Sequence, residues 1–268
     1  MMKYCFLTFF LFCGFFLSFG QNLQKMQVWQ DSLSQLGQKM FTQAAEVERI
    51  ESNFLFVKTL VSVLKEPNSY FYDFDKLNMI SAVRSPDNSF RIFTWNVPLQ
   101  DGSYLYYGSI QFKSGTLKLL PLLDKTFEIA DVHTNVLNNS QWYGAQYYDI
   151  VPFRPNQYLL LGWKGHNALV SQKVIEVLTV DAKGNVTLGA TIFSDNSIIA
   201  RKIFFYAKQA TMLLRFNKLE NRIEFDHLVP LEGEQKEQNV PDLSHDAYVL
   251  RNRDLALLKN ISILNLEQ

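Results

Sequence analysis

Four histidines are the side chains best suited to proton transfer or metal binding. Three of them have a carboxylate next to them or two residues away: Asp131 with His133, Asp226 with His227, and His245 with Asp246. An imidazole held by a carboxylate is fixed in one tautomer and becomes a better base or metal ligand. On a strand, however, successive side chains point to opposite faces. Over 222–228, read as a strand, His227 shares a face with Ile223 and Phe225 while Asp226 lies with Arg222 and Glu224, so His227 is expected as a hydrogen-bonded core residue. Asp131 and His133, two apart, share a face if their segment is extended. The acid–base candidates are therefore Asp131, His133, Asp226 and His227, which must meet in space from distant segments to serve a hydrolase. Paired carboxylates of the glycosidase kind need a separation of roughly 5–9 Å that spacing alone does not supply. Asp73 and Asp75, in YFYDFDKLN, evoke a calcium loop but lack its glycine and its later bidentate glutamate, and they read as a solvated turn. No metal and no cofactor is expected.

The common catalytic signatures are missing: no G-x-S-x-G elbow, no H-E-x-x-H, no phosphate-cradling G-x-x-x-x-G-K and no G-x-G-x-x-G. That favours a binding protein over an enzyme. Aromatic residues supply the binding chemistry. Tyr70 to Tyr72, then Tyr104, Tyr106 and Tyr107, then Trp142, Tyr143, Tyr147 and Tyr148, and finally Trp163 with His166 are flat rings, most with a polar handle, suited to stacking on sugars or peptides. Sheets use the same rings as core filling. Trp142, Tyr143, Trp163 and His166 are the ligand-binding candidates, with the run Gly162–His166 (GWKGH) foremost because glycines let a ligand approach the backbone.

Composition narrows the partners. The chain of 268 residues carries 26 basic and 26 acidic side chains. Nothing in that balance draws polyanions, which excludes nucleic acid as an expected partner and leaves a polysaccharide or a protein. The opening MMKYCFLTFFLFCGFFLSFG has one charge at Lys3, an apolar run from about Cys5 to Leu17, and small residues Ser18 and Gly20 flanking Phe19. This is the order of a cleavable export signal over 1–20, with cleavage before Gln21, and it is favoured over a membrane anchor or acylation at Cys13. Export to the periplasm or the outside follows, with the membrane met only through that signal. Both cysteines, Cys5 and Cys13, lie within it, so the mature chain has no disulfide or thiol chemistry.

The elements that position these residues fall into two textures. From Met26 to Leu64 an apolar residue recurs at steps of three and four, interrupted at Gln43: Met26, Trp29, Leu33, Leu36 and Met40, then Val47, Ile50, Phe54, Val57, Val61 and Leu64. The spacing predicts a helix or helical hairpin over 21–66, bent near Ser52-Asn53, stopped at Pro67-Asn68 and laid on the protein's own sheet. A dimerising coiled coil is the alternative, disfavoured because the flanking positions Gln30, Ser32, Gly37, Ala44 and Asn53 lack pairing charges.

Beyond Pro67, over 67–268, short aromatic and β-branched runs between turn residues predict antiparallel strands. They are expected near 79–84, 89–97, 103–112, 116–123, 147–153, 157–163, 173–180, 186–193, 201–206, 211–217, 222–228 and 255–259. The strand at 103–112 is expected to be wet on the Ser109, Gln111 and Lys113 face. Asp101-Gly102, Lys183–Asn185 and Lys218–Asn221 mark reversals. Longer loops are expected at 124–140 and 229–247. The fold class is mainly β (α+β), a meander sheet or sandwich, with a propeller-like ring second.

The runs SPDNSFRIFTWNVPLQDGSYLYYGSIQF, WYGAQYYDIVPF, YLLLGWKGHN, KVIEVLTVDAKGNVTLG and RIEFDHLVP resemble a family of exported bacterial β-rich proteins of unassigned function. The resemblance implies secretion and a shared β fold. It departs from the family at Arg251-Asn252-Arg253, where a Gly-Lys-Trp-like turn is expected.

Overall fold

A computed structural model describes residues 23–113, 119–233 and 238–263. The predicted export signal at 1–20 and the start of the strand expected at 116–123 lie outside them. The chain divides into two compact units at Met79/Ile80.

The first unit holds two helices, α1 (23–42) and α2 (Glu46–Leu64), followed by a 3-10 turn at Ser69–Phe71. The break lies at 43–45, where Gln43 interrupts the apolar series. Ser52 and Asn53, expected at the bend, are instead buried inside α2. Arg49 accounts for the position of the break: its Nη1 donates to the carbonyls of Gln43 and Ala44, both at 2.9 Å. Those are carbonyls an ending helix leaves without partners. In α1, Met26, Gln30, Leu33, Gly37 and Met40 are buried. The helix pair ends as expected, with Asn68 in the left-handed region at φ 62°.

The second unit is a stack of three antiparallel sheets. Sheet I is the meander β1 (Ser81–Arg84), β2 (Phe90–Pro98), β3 (Tyr104–Phe112) and β4 (Leu119–Leu123). Sheet II runs β5 (Leu137–Asn138), β9 (Val186–Leu188), β8 (Val170–Val180), β7 (Gln157–Gly165), β6 (Gln146–Arg154), with β10 (Arg201–Ala207) also paired to β8. Sheet III is a second meander, β11 (Leu214–Asn217), β12 (Arg222–Pro230), β13 (Asn239–Leu250) and β14 (Leu255–Leu258). Reversals occur where turn residues predicted them, with Gly102 at φ 82°, Gly184 at φ 77° and Asn221 at φ 48°.

Sheet II is the middle layer. Tyr158, Leu160, Val174 and Leu178 face a core shared with Ile92, Tyr106 and Ile110 of sheet I. Leu159, Leu161, Ile175 and Val177 face a core shared with Ile223, Phe225 and Tyr248 of sheet III. A strand buried on both faces reads as a continuous apolar run rather than an alternating one, and YLLLGW and KVIEVLTV are such runs. Among the described residues neither core joins sheet I to sheet III, so the sandwich reading holds and the propeller-like ring does not form.

Three local expectations are corrected. The segment 229–247, expected as a loop, contains most of β13, whose first three residues (Asn239 to Pro241) pair with the end of β12. The strand expected at 186–193 stops at Leu188 because Gly189 turns the chain at φ 105°. The face of β3 expected to be wet carries Gln111 buried, its Oε1 accepting from Arg91 Nε at 2.8 Å. The last hairpin forms despite the departure at 251–253, with Leu250 opposite Leu255 and Arg251 N–H donating to the Asp254 carbonyl.

Candidate functional site

The most built-up polar region lies where the ends of β3, β4 and β7 meet the turns that follow β4 and precede β6. A short parallel bridge pairs Asp124 with Trp142. Trp142 N–H donates to the Leu123 carbonyl and Lys125 N–H to the Trp142 carbonyl, each at 2.9 Å, stitching the two turns together. Gly144 then bends the chain at φ 71° directly against the Asp124 carboxylate. A methyl group here would sit 2.7 Å from Asp124 Cγ on a backbone L-residues avoid. Gly144→Ala is expected to cost about 1–3 kcal/mol, read as a lowered urea midpoint; an unchanged midpoint would show that the bend tolerates a side chain.

Lys164, near the end of β7, reaches into this junction. Its Nζ donates to the carbonyls of Gly144 (2.7 Å) and Tyr143 (2.8 Å) and to Thr126 Oγ1 (3.1 Å), using all three protons. The rings of Tyr106 and Tyr143 lie 4.2 Å and 4.7 Å from the ammonium, within cation–π range. Burial pushes the amine down to about 8, while Asp124 and Glu176 hold it up in part. With two donors spent on main-chain carbonyls and the third on the Thr126 hydroxyl, Lys164 is a clamp that fixes the 143–144 turn to β7. Tyr106 completes the clamp: its hydroxyl accepts from Gly165 N–H at 2.6 Å, and burial raises its pKa far above the phenol range.

Deeper along the same face of sheet II runs a chain of buried polar groups. Trp142 Nε1–H donates to Tyr147 Oη (2.9 Å), and the Tyr147 hydroxyl donates to Glu176 Oε2 (2.9 Å). Arg201 Nε donates to Glu176 Oε1 at 2.7 Å, and its Nη atoms donate to the carbonyls of Val132 and Leu188. Glu176 and Arg201 are fully buried.

Outside this junction the surface opens into a groove of about 390 Å³. Tyr104, Leu105 and Tyr107 of β3, Leu122 and Leu123 of β4, and Phe127 in the following turn are its apolar lining. Phe127 is 96 % exposed and Leu123 47 %. Of the polar groups at the rim, Asp124 Oδ1 accepts from Thr126 N–H (3.0 Å) and Glu128 pairs with Lys125 at 2.6 Å.

The aromatic candidates divide. Trp142 and Tyr143 are buried, at 0 % and 2 % exposure, with Trp142 bonded as above and Tyr143 O–H donating to Gln172 Oε1 at 2.7 Å. They are core, not platform. Trp163 is half-buried, edge-on to Tyr104 at 5.6 Å, with its Nε1–H donating to Tyr206 Oη at 3.1 Å. His166 is exposed and edge-on to Phe205 at 5.8 Å. The glycines of the GWKGH run admit protein rings rather than a ligand: a Cβ at Gly162 would press on Tyr147, and one at Gly165 on Tyr104. That run is strand up to Gly165, and the turn follows it.

Among the described residues no hydrogen bond or ion pair joins Asp131 or His133 to Asp226 or His227. The Asp131 carboxylate accepts from the backbone N–H of His133 (2.8 Å) and from the Thr134 hydroxyl (2.7 Å), and the Thr134 bond above all holds it below the usual carboxylate range. The His133 ring lies 6.3 Å from Phe205. Asp226 and His227 sit on β12 and take their partners from β13: His227 Nδ1 is 2.9 Å from Asp246, and His245 Nε2 is 3.3 Å from Asp226. His227, expected in the core, is 42 % exposed at its side chain because the ladder slips between Asp226 and Leu228. Among the described residues no group of three histidine, cysteine or acidic side chains could hold a metal ion.

The residue types missed from sequence are Lys164, Glu176 and Arg201, which carry the junction. The one signal available was a charged residue inside an otherwise apolar strand, as Glu176 is within KVIEVLTV.

The chain matches no protein-family model, no curated protein and no solved structure.

Proposed function

We propose that this chain is an exported, non-enzymatic binding protein that takes an apolar side chain of a peptide or protein partner into the groove between β3, β4 and the 124–128 turn. The observation that carries the reading is Phe127, almost wholly in solvent beside Tyr104, Tyr107 and Leu123. A single exposed apolar residue is ordinary, but an exposed ring contiguous with other apolar side chains along a groove is the kind of patch that marks an interaction site. A peptide is favoured over a polysaccharide because the rim carboxylates of Asp124 and Glu128 already have partners within the turn, and the walls are mainly aliphatic and aromatic. Sugars need free polar groups as well as rings. Export enters this proposal from the leading segment, and the groove stands without it.

Calorimetric titration with a panel of unstructured apolar peptides, alongside soluble oligosaccharides, tests the reading. Peptides are expected to bind, and Phe127→Ala to weaken them about tenfold or more while leaving the unfolding midpoint unchanged, since so exposed a ring contributes little to folding. Oligosaccharide binding without peptide binding would replace the ligand class, and binding indifferent to Phe127→Ala would move the site elsewhere.

A further inference from the structure

Helix α2 carries apolar residues on two faces, one buried and one exposed. Its buried side holds Arg49, Ser52 and Asn53 in the first half and Phe56, Leu60, Val63 and Leu64 in the second. Val47, Phe54 and Val61 are exposed by 65 %, 68 % and 37 %, and Ile50 and Val57 lie half-buried between them. A helix with one face on a core normally carries polar residues on the opposite face, so the exposed stripe is the unusual feature. Arg49 belongs to the buried side, its Nη1 donating to the carbonyls of Gln43 and Ala44, and the stripe lies outward.

The stripe has a specific form. Val47, Ile50, Phe54, Val57 and Val61 alternate in steps of three and four, the seam of a two-stranded coiled coil. The edge that holds Asn53 lacks a pairing charge, as expected from the sequence, but Glu51 and Lys58 flank the stripe on the other edge, both exposed, one heptad apart. At about 1.5 Å rise per residue they stand roughly 10 Å apart along the helix, too far to pair within it.

We infer that this stripe is a homodimer seam in which α2 packs antiparallel against α2 of a second copy of this chain, about a two-fold axis near Phe54 and Val57. The charges select both occupant and direction. Antiparallel pairing brings each Glu51 opposite Lys58 of the other copy, and the two-fold axis makes the contact twice. Parallel pairing would instead bring Glu51 towards Glu46 of the other helix, a like-charge contact. The acidic run Glu46, Glu48 and Glu51 beside the stripe also disfavours an anionic membrane surface as its occupant. The seam is independent of the groove in the second unit.

Sedimentation velocity of the purified protein over a wide concentration range tests the seam. A reversible dimer is expected. Phe54→Asp should raise its dissociation constant about 30-fold or more, with the far-ultraviolet circular dichroism unchanged because the ring is already exposed. Glu51→Lys should weaken the dimer up to about tenfold, and Glu51→Lys combined with Lys58→Glu should restore it, since the swap re-forms both pairs. A monomer at every concentration overturns the inference, and so does a dimer that ignores Phe54→Asp and the charge swap.

Discussion

Glu176→Gln is expected to cost the second unit about 3–5 kcal/mol, the loss found when one member of a buried ion pair is neutralised and the other charge is left without compensation. The Arg201 guanidinium has no exposed surface and no other carboxylate within ion-pair distance among the described residues. Its Nη donors go to the carbonyls of Val132 and Leu188, which satisfy hydrogen bonds but not charge. The glutamine keeps the shape of the site, so the effect isolates charge from packing. Urea unfolding followed by tryptophan fluorescence should show a midpoint lowered accordingly. The double variant Glu176→Met with Arg201→Met should recover part of that loss, because it removes the uncompensated charge, but it strands the Tyr147 hydroxyl and the carbonyls of Val132 and Leu188. A Glu176→Gln protein within about 1 kcal/mol of the parent would mean that water or another charge compensates Arg201.

The same pair marks the limit of what could be read from sequence. The double-sided burial of β7 and β8 was legible in their unbroken apolar runs, and the tight reversals in Asp101-Gly102 and Lys183–Asn185, because local chemistry dictates both. The helix break was also written in the sequence, at Gln43. The expectation placed it at Ser52-Asn53 because those residue types favour turns, and what overrode that preference was Arg49 capping a helix end six residues upstream. β13 is not legible because Asn239 to Ser244 mixes Asn, Asp and Ser with Pro241, which local propensity reads as loop, whereas pairing to β12 makes it strand. Exposure of individual rings was not legible. Trp142 and Phe127 differ little in type, yet one is wholly buried and the other almost wholly exposed. Which of the two faces a core depends on how sheets I and II stack, and no spacing within a turn encodes that. Phe127 was passed over for that reason.

Alkaline titration gives the second large effect, and its sign is set by two kinds of buried group. Lys164 has its pKa pushed by burial from 10.5 down to about 8, so between those values the unfolded chain binds a proton that the folded chain does not. Stability contributed by the neutral amine is therefore full above 10.5 and is lost as pH falls to 8; folding becomes more favourable as pH rises through that window. Lys173, half-buried, has its pKa lowered by the same cause and acts in the same direction. The buried tyrosines act oppositely. Tyr106, Tyr143, Tyr147 and Tyr248 all have phenol pKa values raised first by desolvation, well above the ordinary 10.0. Below 10 their contribution is intact, and above it the unfolded chain loses protons that the folded chain keeps. At about 1.4 kcal/mol per group per pH unit, these four together withdraw roughly 5 kcal/mol for each unit above 10. Stability measured by urea unfolding is thus expected to rise from pH 8 towards 10 and then collapse within about one further unit. Tyrosinate absorbance should appear together with unfolding rather than before it, because the rings ionise only when the two cores open. Lys164→Met should flatten most of the rise and leave the collapse in place. A protein that loses stability steadily from pH 8, or one that survives well past 11 with its tyrosines ionised, would show that water reaches these rings in the folded state, and with it the junction that Lys164 clamps.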